Sequence, residues 1–336
     1  MIVYIGNFWE LSNPAAGLDL MEELKDKYYF KSYSKKRNKI LRLLDMLYGI
    51  IKNKTQAKLV LIDTFSTFAI WIAFFCALLC KILNLQYIPI VRGGDFLRAY
   101  KDKTFLVRFI FKNAWSIVSP SKYLQLELEK LGFVIKYIPN GINPDFYISR
   151  KKNYKVNKYS LVWVRAFHKI YNPVMAIEVV KVLKNDFKNI KLTMIGPDKD
   201  GSLNDCKKLV ENYKLNDNIM FTGYLEKRNW IKIAKTANVF INTTNIDNHP
   251  KSIIEAMLLG LPIVSTNVGG IPYLLKEGRE SNLIRPNDIN DMAKKISIII
   301  NDTNLRQKYS KNAKKNALNF SYINTIPLWD NILNLK

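Results

Sequence analysis

The sequence predicts an α/β chain of two domains, each a parallel sheet with helices on both faces, with a cleft between them. Three observations carry this. Short β-branched runs alternate with longer helical patterns, and strand–helix alternation builds parallel sheets. The rhythm breaks around 144–158, at Pro144-Asp145 and the polar run Arg150-Lys151-Lys152-Asn153, and then restarts. The length, 336 residues, has room for two domains of ordinary size. The expected domains are 1–150 and 155–318, with a C-terminal helix over about 320–336 packing back on the first.

Element by element, Ile2–Ile5 reads as the first strand and Leu59–Ile62 as another. An apolar helix follows from about Thr67. Tyr87–Val91, Ser116–Val118 and Lys136–Ile138 continue the series. Beyond the break, Leu161–Val164, Lys191–Ile195, Ile219–Phe221, Val239–Ile241 and Pro262–Ser265 read as strands, with helices between them and a helix-rich tail after Asp288. The stretch Phe68–Leu79 is apolar for about a dozen residues, whereas a spanning helix needs roughly 20. It reads as a buried helix, with a monotopic membrane contact as the lesser alternative.

Composition excludes several classes. With 48% hydrophobic and 24% charged residues the chain is globular rather than disordered. Cys76, Cys80 and Cys206 cannot make a disulfide framework, and with only His168 and His249 there is no zinc pattern. A reducing compartment is the natural reading, and the start of the chain lacks a basic leader and apolar core. The formal net charge is +24. Such a surface favours nucleic acid, anionic lipid headgroups or phosphorylated substrates. Biased genomic base composition produces the same Lys excess without functional meaning.

In open α/β sheets ligands bind beyond the carboxyl ends of the strands. The turns expected there include Arg92-Gly93-Gly94-Asp95, Arg165 to Lys169, Gly196 to Gly201, Thr222-Gly223 and Asn267 to Gly270. The densest segment is Asp247-Asn248-His249-Pro250-Lys251-Ser252-Ile253-Ile254-Glu255. Pro250 suits the first turn of a helix, which puts Glu255 one turn on and Asp247 in the loop before it. The free N–H groups of such a helix start can bind a diphosphate. The two carboxylates can accept hydrogen bonds from sugar or ribose hydroxyls. Together these are the groups that hold a nucleotide sugar. On spacing alone, an ordinary capped helix with a surface Asp and a half-buried Glu is the favoured reading.

This segment resembles the E-x7-E motif of retaining glycosyltransferases of the GT-B fold, glycosyltransferase family 4. The continuation Leu259 to Pro272, the run Ile195-Gly196-Pro197 and Phe221 to Leu225 are similar to the same family. The resemblance covers nearly the whole chain and is strongest from about 160 to 285. It implies two Rossmann-like domains facing a central cleft. It implies that Glu255 holds the donor ribose and Asp247, in place of the motif's first glutamate, the sugar hydroxyls. His249, Pro250, Lys251 and Ser252 would line the diphosphate and sugar through backbone groups. Arg165 and Lys169 would bind the diphosphate, at a spacing one residue shorter than in the family. Backbone near Gly196 and Gly223 would recognise the base. Gly17 is what remains of a Gly-rich phosphate loop at Asn13 to Gly17. Arg92 stands where many relatives carry a histidine, with Asp95 beside it. It reads either as a ligand for an acidic sugar or acceptor or as a structural arginine.

The implied reaction moves a hexose from a nucleoside-diphosphate sugar to a glycan or lipid-linked acceptor hydroxyl, with retention. No metal or other cofactor is expected, although Asp198-Lys199-Asp200 has the spacing of a metal-binding pair. Lys25, Lys27, Lys31, Lys35, Lys36, Arg37, Lys39 and Arg42 interleave with Tyr28, Tyr29, Phe30 and Tyr33. They suit an anionic membrane surface and equally a solvated helix face. The expected location is cytoplasmic, with a peripheral place on the inner face of the plasma membrane if the cluster binds lipid. Two alternatives stand beside this: a glycosyltransferase-like subunit of weak activity, and a basic nucleic-acid-binding protein. Nothing in the chain resembles a nucleic-acid module, so no nucleic-acid partner is expected.

Overall fold

The computed structural model describes residues 1–8, 16–93, 95–147 and 159–334. The chain forms two compact units, Met1–Ile142 with the terminal segment from Tyr322, and Asn143–Ser321. Asn13 to Ala15 of the expected phosphate loop, Gly94, and most of the polar break before Tyr159 lie outside the described residues.

The first unit runs β1 (Ile2–Ile5), α1 (Ala16–Leu24), β2 (Phe30–Tyr33), α2 (Lys39–Lys52), β3 (Leu59–Thr64), α3 (Ala69–Ile82), β4 (Tyr87–Val91), α4 (Phe96–Asp102), α5 (Thr104–Lys112), β5 (Ile117–Ser119), α6 (Lys122–Glu129) and β6 (Ile135–Tyr137). Its strands form one parallel sheet in the order β2-β1-β3-β4-β5-β6. Strand side chains alternate between faces, and the core divides accordingly. Val3, Ile5, Val60 and Ile62 pack under α2, α3 and α5. Ile2, Tyr4, Leu59 and Leu61 face the other way, onto α1.

The second unit runs β7 (Ser160–Val164), α7 (Pro173–Leu183), β8 (Lys191–Ile195), α8 (Ser202–Asn212), β9 (Ile219–Gly223), α9 (Lys227–Ala234), β10 (Val239–Asn242), α10 (Lys251–Leu259), β11 (Ile263–Thr266), α11 (Ile271–Leu274), β12 (Ser281–Ile284), α12 (Ile289–Asn301) and α13 (Thr303–Ala317). Its parallel sheet has the order β12-β11-β10-β7-β8-β9. The chain proceeds from β7 to one edge and returns to β10 to build the other half. The order reverses between β7 and β10, and a crevice beyond such a switch point is where this architecture binds ligands.

Two strands depart from the sequence expectation. β2 reads Phe-Lys-Ser-Tyr and lies within the basic, aromatic cluster. β12 reads Ser-Asn-Leu-Ile and lacks a β-branched run. Both are edge strands of four residues. A third departure concerns α3, expected as a buried helix. Ile70, Ala73, Cys76, Ala77 and Cys80 are buried, but Trp71, Phe75 and Ile82, with Phe68 just before the helix, are exposed. Among the described residues no helix is long and apolar enough to cross a membrane.

The closing helix α14 (Tyr322–Leu333) belongs to the first unit. Trp329, Ile332 and Leu333 pack on Leu59, Leu61, Ile88 and Ile90, and Asp330 accepts hydrogen bonds from Lys27 Nζ (2.6 Å) and Tyr28 Oη (3.1 Å). Deleting a buried tryptophan costs about 3–5 kcal/mol. Trp329→Ala is therefore expected to lower the first unit's stability by about 3 kcal/mol, measured by urea unfolding. A loss below about 1 kcal/mol would show that α14 does not cover that face.

Candidate active site

Arg165 is the first residue beyond β7, and its backbone is fixed before its side chain is considered. Its N–H donates to the Ile195 carbonyl (3.0 Å). Gly196 lies against the Arg165 carbonyl so closely that any Cβ would overlap it. Gly196 in turn donates to the Gly223 carbonyl (2.9 Å). Gly196 thus sets the depth of the Arg165 turn.

The turn after Arg165 is tied to β10. Thr243 Oγ1 lies 2.9 and 2.8 Å from the carbonyls of Tyr171 and Asn172, and accepts from Trp163 Nε1 at 3.1 Å. The Asn245 N–H donates to the Ile170 carbonyl (2.8 Å). This brings the Tyr171 ring against the Arg165 guanidinium, 4.6 Å from its centroid. Lys169 sits in the same turn and is exposed. Its N–H donates to Asp200 Oδ2 (2.9 Å). Asp200 also accepts from the Ser202 N–H, and Asp198 from the Gly201 N–H. The Asp-Lys-Asp spacing thus serves local turns.

Asp247 meets Arg165 as an ion pair, Oδ2 to Nη2, with both side chains largely buried. Its Oδ1 accepts from the Asn248 N–H (2.8 Å). The Asp247–His249 loop rests on the turn after β11. Gly270 donates to the Asp247 carbonyl (2.8 Å), and a Cβ on Gly269 or Gly270 would collide with the Asp247 or Asn248 carbonyl. Pro250 is the residue before α10 rather than within its first turn. His249 is buried edge-on against Phe320, with centroids 5.6 Å apart. Lys251 and Ser252 open the helix, where amides lack intrahelical acceptors.

Two buried polar atoms stand out. Arg165 Nε and Ser252 Oγ are shielded from solvent and make no hydrogen bond. Buried donors are nearly always satisfied, so each of these two is open to an acceptor that the described residues do not supply. Burial lowers the Arg165 pKa, and the nearby Tyr171 and Glu255 work against that shift.

Glu255, one turn into α10, has partners the sequence analysis did not find. Tyr147 Oη donates to Oε1 at 2.6 Å, and Lys227 Nζ lies 3.7 Å from the same oxygen. Lys227 also sits over the Phe146 and Tyr147 rings, 5.2 and 5.0 Å from their centroids. Nothing local in the sequence couples Tyr147 to a residue so far along the chain; only the Asn-Pro-Asp turn before it marks the place. The second unit thus gathers Arg165, Lys169, Asp247, Ser252 and Glu255 around the ends of β7 and β10.

The first-unit candidates have different surroundings. Arg92 follows β4 and spends its donors internally: Nε on Asp63 Oδ1 (2.6 Å), Nη1 on Asn140 Oδ1 (3.0 Å) and Nη2 on Tyr4 Oη (3.1 Å). Burial alone would depress the guanidinium, and the Asp63 charge with the Tyr4 hydroxyl raises it above its ordinary value. The arrangement favours the structural of its two readings. Gly17 lies in α1 against the Tyr4 ring. Asp95 precedes α4, half-exposed and 3.8 Å from Arg98.

The paired six-stranded sheets are those of GT-B glycosyltransferases. Anabaena HepE, solved in complex with UDP, superposes with a TM-score of 0.80 over 99% of this chain and 100% of its own, at 14% identity. The family described as glycosyl transferases group 1 matches residues 146–316, just over half of the sequence, and the chain belongs to that family. It is 25% identical to the uncharacterized glycosyltransferase MJ1178 of Methanocaldococcus jannaschii over 254 residues, 73% of this chain and 67% of that protein. It is 26% identical to the capsular polysaccharide biosynthesis glycosyltransferase CapM of Staphylococcus aureus over 144 residues, 43% of this chain. The chain spans about two thirds of the first relative's length and 37% of the second's.

Removing one partner of a buried ion pair costs about 3–5 kcal/mol because a charge is left unpaired. Arg92→Met is expected to destabilise the first unit by about 3 kcal/mol in denaturant unfolding. Arg92→Lys should recover only part of this, because an ammonium cannot reach Asp63, Asn140 and Tyr4 at once.

Proposed function

We infer that this glycosyltransferase moves a hexose from a nucleoside-diphosphate sugar to a hydroxyl of a glycan or lipid-linked acceptor, with retention and without metal. The observation that carries the reading is that two buried donors lack a partner, Arg165 Nε just beyond β7 and Ser252 Oγ in the first turn of α10. An arginine has five N–H donors, so pairing with Asp247 leaves donors for a phosphate. Arg165, Lys169 and the amides of α10 receive the diphosphate. Asp247 orients the sugar hydroxyls. Glu255 accepts from the ribose with the oxygen that Tyr147 leaves open. The family membership, the UDP bound by HepE and the polysaccharide role in CapM's name support this reading.

Bond breaking makes the anomeric centre oxocarbenium-like and loads negative charge onto the leaving diphosphate. Fixed donors that meet this growing charge lower the barrier, each by about 3 kcal/mol. Tyr171 behind Arg165 and the pairing with Asp247 hold the guanidinium in place before substrate arrives. No carboxylate is assigned as a glycosyl nucleophile. Retention then follows a front-face path, in which the departing phosphate takes the acceptor's proton. The acceptor choice rests on the first unit, and the product belongs to cell-surface polysaccharide or lipopolysaccharide synthesis on the cytoplasmic side.

A thermal-shift screen of UDP- and GDP-sugars is expected to find a stabilising donor. NMR of the product with that donor should show the donor's anomeric configuration; the opposite anomer refutes the front-face path. Glu255→Ala is expected to abolish stabilisation by nucleotide, and Tyr147→Phe to weaken binding by about tenfold, the worth of one charge-assisted hydrogen bond. Equal stabilisation of Glu255→Ala and the parent protein overturns the ribose assignment. Arg165→Ala should lower kcat by about a hundredfold or more.

A further inference from the structure

The outer surface of the first unit's helical layer is apolar where a water-facing layer is ordinarily polar. α2 turns Met46, Gly49 and Ile50 inward, yet its opposite face carries Ile40, Leu44, Tyr48 and Ile51 at helical spacing, all at least half exposed. Such a helix is apolar on two faces, and the sheet accounts for only one of them. The neighbouring α3 adds Trp71 and Phe75, and α5 adds Phe105, 73% exposed. The surface is continuous. Phe74 bridges Trp71, Phe75 and Phe105 at centroid distances of 6.5, 5.5 and 6.4 Å, and Lys39 at the start of α2 lies over Phe68 before α3 at 5.3 Å.

The charges on these helices are one-sided. α2, α3 and α5 carry Lys39, Arg42, Lys52, Lys81, Arg108 and Lys112 against a single acid, Asp45. Three of the lysines lie against rings: Lys39 on Phe68, Lys52 on Tyr48 and Lys81 on Phe109. An apolar stem against an aromatic ring with an exposed ammonium is how a side chain sits at the boundary between hydrocarbon and water. A second copy of this chain would bring the same positive face and repel it. An anionic bilayer answers both features, taking the apolar side chains below its headgroups and pairing the cations with lipid charge.

We propose that the α2–α3–α5 face docks this enzyme on an anionic lipid bilayer. The site lies wholly in the first unit and needs no nucleotide sugar, so its test is independent of the donor assignment. It goes beyond the glycosyl-transfer reading by giving a lipid-linked acceptor a surface on which the enzyme already sits.

Flotation of the full chain with phosphatidylcholine–phosphatidylglycerol vesicles, against phosphatidylcholine alone, tests it. Binding is expected to the anionic vesicles and to weaken at high salt, since exposed charges more than about 10 Å apart are screened there. Ile40→Ser with Leu44→Ser should bind at least about tenfold less tightly with its cations intact, because the buried apolar area is lost. Both residues are exposed, so the unfolding midpoint should hold; Tyr48→Ser with Phe105→Ser is an independent second pair. Brominated lipid should quench fluorescence in the parent protein more than in Trp71→Phe. Absence of vesicle binding overturns the proposal, as does binding by both double variants equal to the parent's. A dimer in light scattering that the variants dissolve, without vesicle binding, overturns it in favour of a second copy.

Discussion

Holding a guanidinium out of water beside a carboxylate costs several kcal/mol per charge unless the geometry is held for it. In the second unit the whole neighbourhood of Arg165 and Asp247 is arranged to hold it. Gly196 lets β8 close on the Arg165 backbone, and Gly269 and Gly270 let the turn after β11 close on the backbone at Asp247. Thr243 ties the Arg165 turn to β10. The glycines therefore act as spacers: each removes a side chain where two backbones must touch for the ion pair to form. The site's charge geometry is a consequence of sheet order, because only the reversal between β7 and β10 brings these turns together.

Among the described residues two Arg–Asp pairs are largely buried, and their difference separates scaffold from site. Arg92 uses Nε, Nη1 and Nη2 on Asp63, Asn140 and Tyr4. Its neighbourhood is closed, and the network fastens β1, β3 and β4 to the loop at Asn140. Arg165 pairs with one carboxylate and leaves Nε unbonded. A closed network stabilises a fold. An unfinished one stores unmet hydrogen-bonding capacity that a phosphate can satisfy.

Much of this was legible in sequence because period and turn residues are local signals. The strands of both sheet centres are β-branched runs bounded by turn residues; Tyr87–Val91 and Lys191–Ile195 were read at the bounds the structure has. β2 and β12 escaped because neither is a β-branched run: β2 is half-buried Phe-Lys-Ser-Tyr, and β12 buries Ser281 and Asn282. The Asp247–Glu255 segment was legible because its spacing is carried on a single loop and helix. The partners of Arg92 and Glu255 were not. Asp63 and Tyr147 reach them across the fold, and no periodicity encodes a contact between distant positions. The exposed side of α3 was hidden for a related reason: an apolar run shows that a helix avoids water, not which of its faces another element covers.

Part of the large positive charge stands in two distinct physical settings. A bias in codon usage raises the number of lysines but does not choose their neighbours. Here Lys227 sits over two rings beside Glu255, where its charge balances a carboxylate kept from water. Lys39, Lys52 and Lys81 sit over rings on the outer helical layer, where acids are nearly absent. In the first setting the cation compensates a buried anion and keeps its carboxylate in one orientation. In the second it pairs with no acid among the described residues and faces outward. A cation over an exposed ring gains only about 0.5–1 kcal/mol from that contact and leaves its charge to be answered from outside, so the same residue type does two kinds of work on one scaffold.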